Sequence, residues 1–393
     1  MSESVRANWN YPTSVKFGAG RIAELPELCR QLGLKRPLLV TDRGLAGLPM
    51  VQDALSALRL AGLQAVLFSD LKPNPVGANL EAGLAAWQAG QHDGVIAFGG
   101  GSALDLGKLI AFMSGQRRPV WDFEDIGDWW TRADPAGIAP IIAVPTTAGT
   151  GSEVGRASVL TDEATQTKKI IFHPRIQPQL VLCDPELTLG LPAVVTVGTG
   201  MDALSHCLEA YCAPGFHPLA DGIAVEGMRL VKDALPRLVE QPRDLSARAQ
   251  MMAAAAMGAT AFQKGLGGMH ALSHPIGALY DTHHGMTNAV FMPYVLAFNR
   301  GAIEERIRRL AAYLDLPNPG FDSFQAWVVE LRQHLGVPHT LGELGVTLDD
   351  VALERVAAMA IVDPSAGGNP VQFDLEAART ILQASTQGTR PAA

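Results

Sequence analysis

Five short apolar runs constrain this chain more than any other feature: residues 37–40, 65–68, 95–98, 141–144 and 180–182. Each has the length of a strand and is bounded by Gly, Pro, Asp or Thr. Strands that are apolar throughout must be covered on both faces, which is the condition of a parallel sheet flanked by helices. Amphipathic stretches at residues 51–63 and 78–88 provide helices for that purpose. The first half is therefore expected to form a doubly wound parallel sheet. Ligands of such sheets bind beyond the carboxyl ends of the strands. Here those ends carry Thr41-Asp42, residues 99–102 and residues 146–152.

The pattern changes near residues 185–192. Beyond residue 194 strand signals are scarce, and Ala, Leu, Met and charged residues recur at helical spacing through 202–211, 219–239, 246–262 and 303–314. At 393 residues the chain exceeds one ordinary core. The expected organisation is α/β: residues 1–187 form a Rossmann-like dinucleotide-binding domain, and residues 188–393 form an all-helical metal and substrate domain. The tail after Gln387 is expected to fray.

Charge and composition remove several function classes. The net charge is −8, with no basic stripe, which argues against nucleic acid and anionic membrane as partners. The first residues, MSESVRANWNYPTSVKFG, hold no apolar signal core. No run approaches the ~20 apolar residues of a membrane helix. The Ala-rich stretch at 251–262 is broken by Gly258 and Thr260 and reads as a buried helix. The four cysteines, Cys29, Cys183, Cys207 and Cys212, form neither a CxxC pair nor a dense framework, so a reducing cytoplasm is expected.

Six of the ten histidines fall between residues 206 and 284, on otherwise apolar segments where an imidazole is costly unless it is paired or ligating. Asp202 and His206 stand at i and i+4 in a predicted helix, so both can reach one ion. His270 and His274 repeat that spacing, and His283-His284 follow. Any one of these elements also fits a hydrogen-bonded core histidine or a solvated pair. Together they point to a metal site, for which one oxygen and three nitrogen ligands suit Fe2+, Zn2+ and similar ions. Cys207 adjoins His206, but neighbours on a helix point about 100° apart and do not share an ion.

On the nucleotide side, Gly99-Gly100-Gly101-Ser102 ends a strand and opens a helix. Bare backbone lets a pyrophosphate approach the helix N-terminus, although the same turn also serves as a plain connection and is not GxGxxG. Thr146, Thr147, Thr150 and Ser152 follow the next strand and offer small hydroxyl donors. Asp42 is placed either to accept from ribose hydroxyls, which favours NAD over NADP, or simply to begin a turn before Gly44.

These residues resemble the iron-containing (group III) alcohol dehydrogenases over essentially the whole chain. The matching stretches are LLVTDRGL, KPNP at 72–75, GGGSALDLGK at 99–108, PTTAGTGSEV at 145–154, CDPELTLGLP at 183–192, TGMDALSHCLEAY at 199–211 and GMHALSHPIGALYDTHHGMTNAV at 268–290. The resemblance implies Asp202, His206, His270 and His284 as metal ligands, and His274 near the nicotinamide and the substrate. It implies Asp42 at the adenosine ribose and Gly100, Gly101 and Ser102 at the pyrophosphate. Asn74, Thr146, Thr147, Thr150, Lys169 and Leu187 would line the rest of the cofactor surface. It also implies a homodimer or larger homo-oligomer. Within the family, AFQKGLGGMHALSHPIGAL and CLEAYCAPGFHPLADGIA look closest to bacterial 4-hydroxybutyrate dehydrogenases.

Two departures stand out. Gly155 replaces a frequent Thr, which is expected to widen the space there. Gln263-Lys264-Gly265 replaces a small neutral stretch, so Lys264 is either a contact for a substrate carboxylate or a solvated lysine. The expected reaction is hydride transfer between a primary alcohol and NAD, with a metal stabilising the alkoxide and His274 passing the proton. A short-chain alcohol or diol dehydrogenase of the lactaldehyde or 1,3-propanediol type is the alternative. A lyase like dehydroquinate synthase fits less well, because the loops lack its cluster of basic residues.

Overall fold

The computed structural model describes residues 13–389. The first twelve residues, and residues 390–393 of the tail expected to fray, lie outside the described part. Residues 388 and 389 close the last helix: Gly388 adopts φ +76°, and the Gly388 and Thr389 amides return to Ala384 O.

The chain divides into two compact units, Tyr11–Gly190 and Leu191–Ala393. The first holds eight strands: β1 (Ser14–Phe17), β2 (Pro37–Val40), β3 (Val66–Phe68), β4 (Gly94–Gly99), β5 (Ile141–Pro145), β6 (Ala157–Asp162), β7 (Thr167–Phe172) and β8 (Leu180–Cys183). Its helices are α1 (Leu25–Gln31), α2 (Arg43–Ala46), α3 (Pro49–Leu60), α4 (Gly77–Gly90) and α5 (Gly101–Met113). Six strands form one parallel sheet in the order β1-β8-β5-β4-β2-β3. The five apolar runs of the sequence are β2, β3, β4, β5 and β8. The three central strands β2, β4 and β5 are buried along their whole length, as strands covered on both faces must be.

After β3 the chain recrosses β2 and lays β4 on its other side. The winding therefore reverses at the β2–β4 pair, and the carboxyl ends of those strands flank the crevice where such sheets take ligands. Asp42 follows β2, and the glycine turn follows β4.

Two parts of this unit are not expected from the apolar runs. Strand β1 is short, carries Lys16 and pairs on one side only, so it has no continuous apolar signal. β6 and β7 form an antiparallel hairpin apart from the main sheet, with one residue in two more deeply buried along β6. Their half-polar sequences, ASVLTD and TKKIIF, read as loop when only continuous runs are sought.

The second unit is helical: α6 (Ala193–Cys212), α7 (Pro218–Glu240), α8 (Leu245–Ala261), α9 (Gly268–Tyr280), α10 (His284–Tyr313), α11 (Phe321–His334), α12 (Asp350–Ala360) and α13 (Leu375–Gln387). Helix α6 is buried on every face from Thr196 to Cys212, because α7, α8 and α10 pack around it. No helix among the described residues is long and apolar enough to cross a membrane.

Candidate active site

The second unit gathers one cluster of ligand-type side chains. Asp202 and His206 project from α6, His270 from α9, and His284 from the first residue of α10. One donor atom from each lies within 4.8 Å of all the others. Asp202 Oδ1 stands 3.9 Å from His206 Nε2, 3.9 Å from His270 Nε2 and 3.5 Å from His284 Nε2. The first three residues are buried and His284 is half-buried. A carboxylate oxygen and three imidazole nitrogens at this spacing fit a divalent cation such as Fe2+ or Zn2+.

The surrounding residues set the chemistry of these donors. Glu209 Oε2 is 2.5 Å from His270 Nδ1, and Glu209 Oε1 accepts from the Met269 amide at 2.6 Å. A proton on Nδ1 facing that carboxyl leaves Nε2 with its lone pair toward the cluster. Burial, followed by the neighbouring His206, holds His270 well below the usual imidazole range. The ring is therefore neutral near pH 7, which is the ligating form. The rings of His206 and His270 stack at 4.8 Å, and Phe262 meets His206 edge-on at 5.1 Å. Sequence reasoning passed over Glu209, although it stands seven residues beyond Asp202 on the same helical face.

Helices α6 and α10 approach closely here. A Cβ on Gly285 would lie 2.1 Å from Gly198 O and 2.7 Å from Asp202 Cβ. Only glycine at 285 lets the start of α10, with His284, come this near Asp202.

His274 and His283 lie outside the four-residue set. His283 accepts from the Met286 amide at the N-terminus of α10. His274 stacks on His284 at 5.4 Å, and its Nδ1 is 2.8 Å from Asp363 Oδ2. Asp363, 89 residues away, is a second partner that no local spacing reveals. Cys207 packs toward α7 and α8, where its Sγ would meet added carbons on Gly227 and Gly258, and burial pushes its thiol up to about 12. All four cysteines are free and buried.

Lys264 fits neither sequence expectation. Its ammonium is buried and bonds Asp221 Oδ1 at 2.5 Å and Tyr211 O at 3.3 Å. It is therefore not a solvated lysine. With its charge already paired, it is withdrawn as the contact for a substrate carboxylate.

In the first unit the candidate nucleotide residues collect at one end of the sheet. Asp42 caps α2, its Oδ1 accepting from Leu45 N at 2.9 Å. Gly100 and Gly101 begin α5 beside the loop that follows β5. A Cβ on Gly101 would lie 2.6 Å from Thr150 Cγ2, and one on Gly100 3.3 Å from Thr147 Cγ2. The absent side chains leave backbone N–H groups open at a helix N-terminus, a cradle that fits a pyrophosphate. Thr146 is buried, and its amide donates to Gly99 O at 3.0 Å. Ser102 donates its hydroxyl to Pro73 O, joining the turn to the loop that carries Asn74. Lys169, on β7, lies 3.0 Å from Asp162 Oδ2 and 5.3 Å from the Trp121 ring centre. Leu187 is packed in the core just after β8.

A set that the sequence reading missed braces these loops. Lys108 is fully buried on α5 and donates to Ser152 O at 2.9 Å, Ser152 Oγ at 2.8 Å and Ala157 O at 2.5 Å. Asp105, one turn earlier, accepts from Ser152 Oγ at 2.5 Å and Val159 N at 3.0 Å. Together they fasten the loop after β5 to the helix that begins at the glycine turn. Gly155, at φ −85°, has ordinary room for one carbon, which would sit 3.7 Å from Lys108 Nζ.

Comparison with known proteins adds a second line of argument. The sequence profile described as iron-containing alcohol dehydrogenase matches residues 12–185, and its C-terminal counterpart matches residues 196–386. The chain is 40% identical to the 4-hydroxybutyrate dehydrogenase of Cupriavidus necator, over 95% of this chain and 98% of the relative. It is 33% identical to the NAD-dependent methanol dehydrogenase of Bacillus methanolicus, over 92% and 95%. Among solved structures, a 1,3-propanediol oxidoreductase superposes with TM-score 0.91 at 34% identity, covering 96% of this chain and all of that one. A sulfoacetaldehyde reductase from Bifidobacterium kashiwanohense, solved with NAD+, gives 0.87 at 28% identity over 97% and 98%.

Proposed function

This chain belongs to the iron-containing alcohol dehydrogenase family, and from that premise we propose that it interconverts a short ω-hydroxy acid, 4-hydroxybutyrate, and its aldehyde, succinic semialdehyde, with NAD(H). The carrying observation is the 40% identity, over 95% of the chain, to a 4-hydroxybutyrate dehydrogenase in a chain whose Asp202, His206, His270 and His284 converge on one point. A 1,3-propanediol-type diol is the second reading, favoured by the likeness to the 1,3-propanediol oxidoreductase structure.

A divalent cation, when bound, would supply a Lewis acid for the alcohol oxygen, and a nicotinamide, when bound, would supply the hydride acceptor or donor. Asp202, His206, His270 and His284 would hold that cation, and Glu209 would fix the tautomer of His270. Asp42 and the Gly100–Ser102 turn, with Asn74, Thr146, Thr147, Thr150, Lys169 and Leu187, form the proposed NAD surface. His274, with Nδ1 turned to Asp363, presents Nε2 to carry the alcohol proton away. His274→Ala is expected to lower kcat by about 100-fold or more and to change its pH profile. An unchanged rate and profile would remove the relay.

The test of substrate compares NADH oxidation with succinic semialdehyde, butanal and 3-hydroxypropanal, with and without a chelator. A carboxylate-selective site should favour succinic semialdehyde over butanal in kcat/KM by more than about tenfold. Equal efficiencies would sink the ω-hydroxy-acid assignment, and preference for 3-hydroxypropanal would install the diol reading. A chelator without effect would remove the cation from the reaction. Four free buried cysteines support a cytoplasmic setting. A homodimer or larger homo-oligomer is the family expectation, which light scattering after gel filtration decides.

A further inference from the structure

The cation cluster contains a neutral side chain that neither the ligand set nor the proton path uses. Asn288 lies one helical turn beyond His284 on α10 and is fully buried. Its Nδ2 stands 2.9 Å from Asp202 Oδ1, 3.1 Å from His270 Nε2 and 3.2 Å from His284 Nε2. One amide nitrogen therefore addresses three of the four candidate ligand atoms. Its own Oδ1 is buried without a hydrogen-bond partner. The opposite orientation of the amide would turn that oxygen on the Asp202 carboxylate and the His270 Nε2 lone pair, so the donor side faces the cluster even though Oδ1 goes unsatisfied.

The direction of donation follows from the surroundings. His270 carries its proton on Nδ1 toward Glu209, which leaves a lone pair on Nε2. Asp202 Oδ1 offers only lone pairs. An imidazole lone pair serves one N–H or one cation, so Asn288 and a divalent cation compete for the same acceptors. Asn288 also donates a hydrogen bond to the buried Asp202 carboxylate. Without a cation, loss of this donor removes a hydrogen bond from a buried carboxylate. With a cation bound, the same carboxylate keeps a stronger partner.

We propose that Asn288 is a positioning residue that holds the ligand atoms together in the metal-free protein and releases them to the cation, so that it tempers metal affinity. The inference rests on the reading of Asp202, His206, His270 and His284 as a cation site.

The test titrates chelator-stripped protein with Zn2+ against a chromophoric competitor, and melts the stripped and Zn2+-loaded forms, for the wild type and Asn288→Ala. The wild type should bind one Zn2+ per chain. Asn288→Ala should bind about tenfold tighter or more, the equivalent of one charge-assisted hydrogen bond lost from the metal-free form alone. Its stripped form should melt lower, while its loaded form melts near the wild type. Asn288→Asp, which sets a second carboxylate beside Asp202, should move both readouts further in the same direction. If Asn288→Ala does not survive stripping, Asn288→Ser carries the same comparison. Unchanged or weaker affinity, or an equal loss of melting temperature in both forms, overturns the proposal. A wild type that binds no Zn2+ overturns the cation site itself, a distinct result.

Discussion

His270→Ala is expected to leave the purified protein without a stoichiometric cation and to lower NADH-dependent aldehyde reduction by about 1000-fold or more. The size follows from the task of the site. Lewis-acid stabilisation of a developing alkoxide is worth several kcal/mol, and each ~1.4 kcal/mol is a factor of ten. His270 is the most enclosed donor of the cluster, with one ring nitrogen toward Glu209 and the other 3.9 Å from Asp202 Oδ1. Asp202→Asn should act similarly, because it removes the only anionic donor while keeping the side-chain shape. Glu209→Gln should be milder, weakening metal binding by about 10- to 100-fold through loss of the group that orients His270. Elemental analysis after desalting, together with steady-state rates, reads all three. Chelation of the wild type should reproduce the loss and added metal reverse it, which separates the effect from misfolding. A His270→Ala protein that retains one metal per chain and a near-normal rate would refute the assignment.

Gly285→Ala should be strongly destabilising and should disturb the cation site as well. The new carbon would stand 2.1 Å from Gly198 O, a backbone atom that cannot rotate aside, and 2.7 Å from Asp202 Cβ. The start of α10 must then move away from α6. Overpacking of this kind costs about 1–3 kcal/mol and sometimes more, and contact with backbone places this case at the upper end. The same movement carries His284 away from Asp202, so metal affinity should fall together with stability. Gly222→Ala provides the opposite sign: Gly222 is exposed within α7 and its new Cβ would meet nothing within 4 Å. It should stabilise by about 0.5–1 kcal/mol through the ordinary gain of alanine over glycine in a helix. Denaturant unfolding of the two variants beside the wild type checks both. If Gly285→Ala unfolds at the wild-type midpoint, the helices do not approach as closely as described.

The regions that were legible in the sequence are those whose signal is local. The apolar runs that became β2, β4 and β5 could be read because burial on both faces removes polar residues from consecutive positions. Asp202 and His206 could be paired because four residues make about one helical turn. The glycine turn before α5 announced itself because the start of that helix has no room for side chains beside Thr147 and Thr150. Strand β1 and the β6–β7 hairpin escaped because a half-exposed strand mixes polar and apolar residues over too few positions to stand out.

Other features were decided by tertiary structure. Helical spacing states which residues share a face, but not which faces meet. That His270 and His284 reach Asp202 depends on α9 and α10 packing near α6, and that packing is a sum over many buried contacts. The same holds for Asp363 beside His274, for Lys108 beneath the loop after β5, and for Lys264, whose charge is paired with Asp221. The sequence alone, through its spacing and its family likeness, determined the kinds of donor available and the chemistry they suit. The family likeness had also singled out Asp202, His206, His270 and His284; what only the fold decided is the geometry in which they converge and the presence of Glu209 and Asn288 beside them, because a hydrogen bond of about 3 Å depends on position in space and not on separation along the chain.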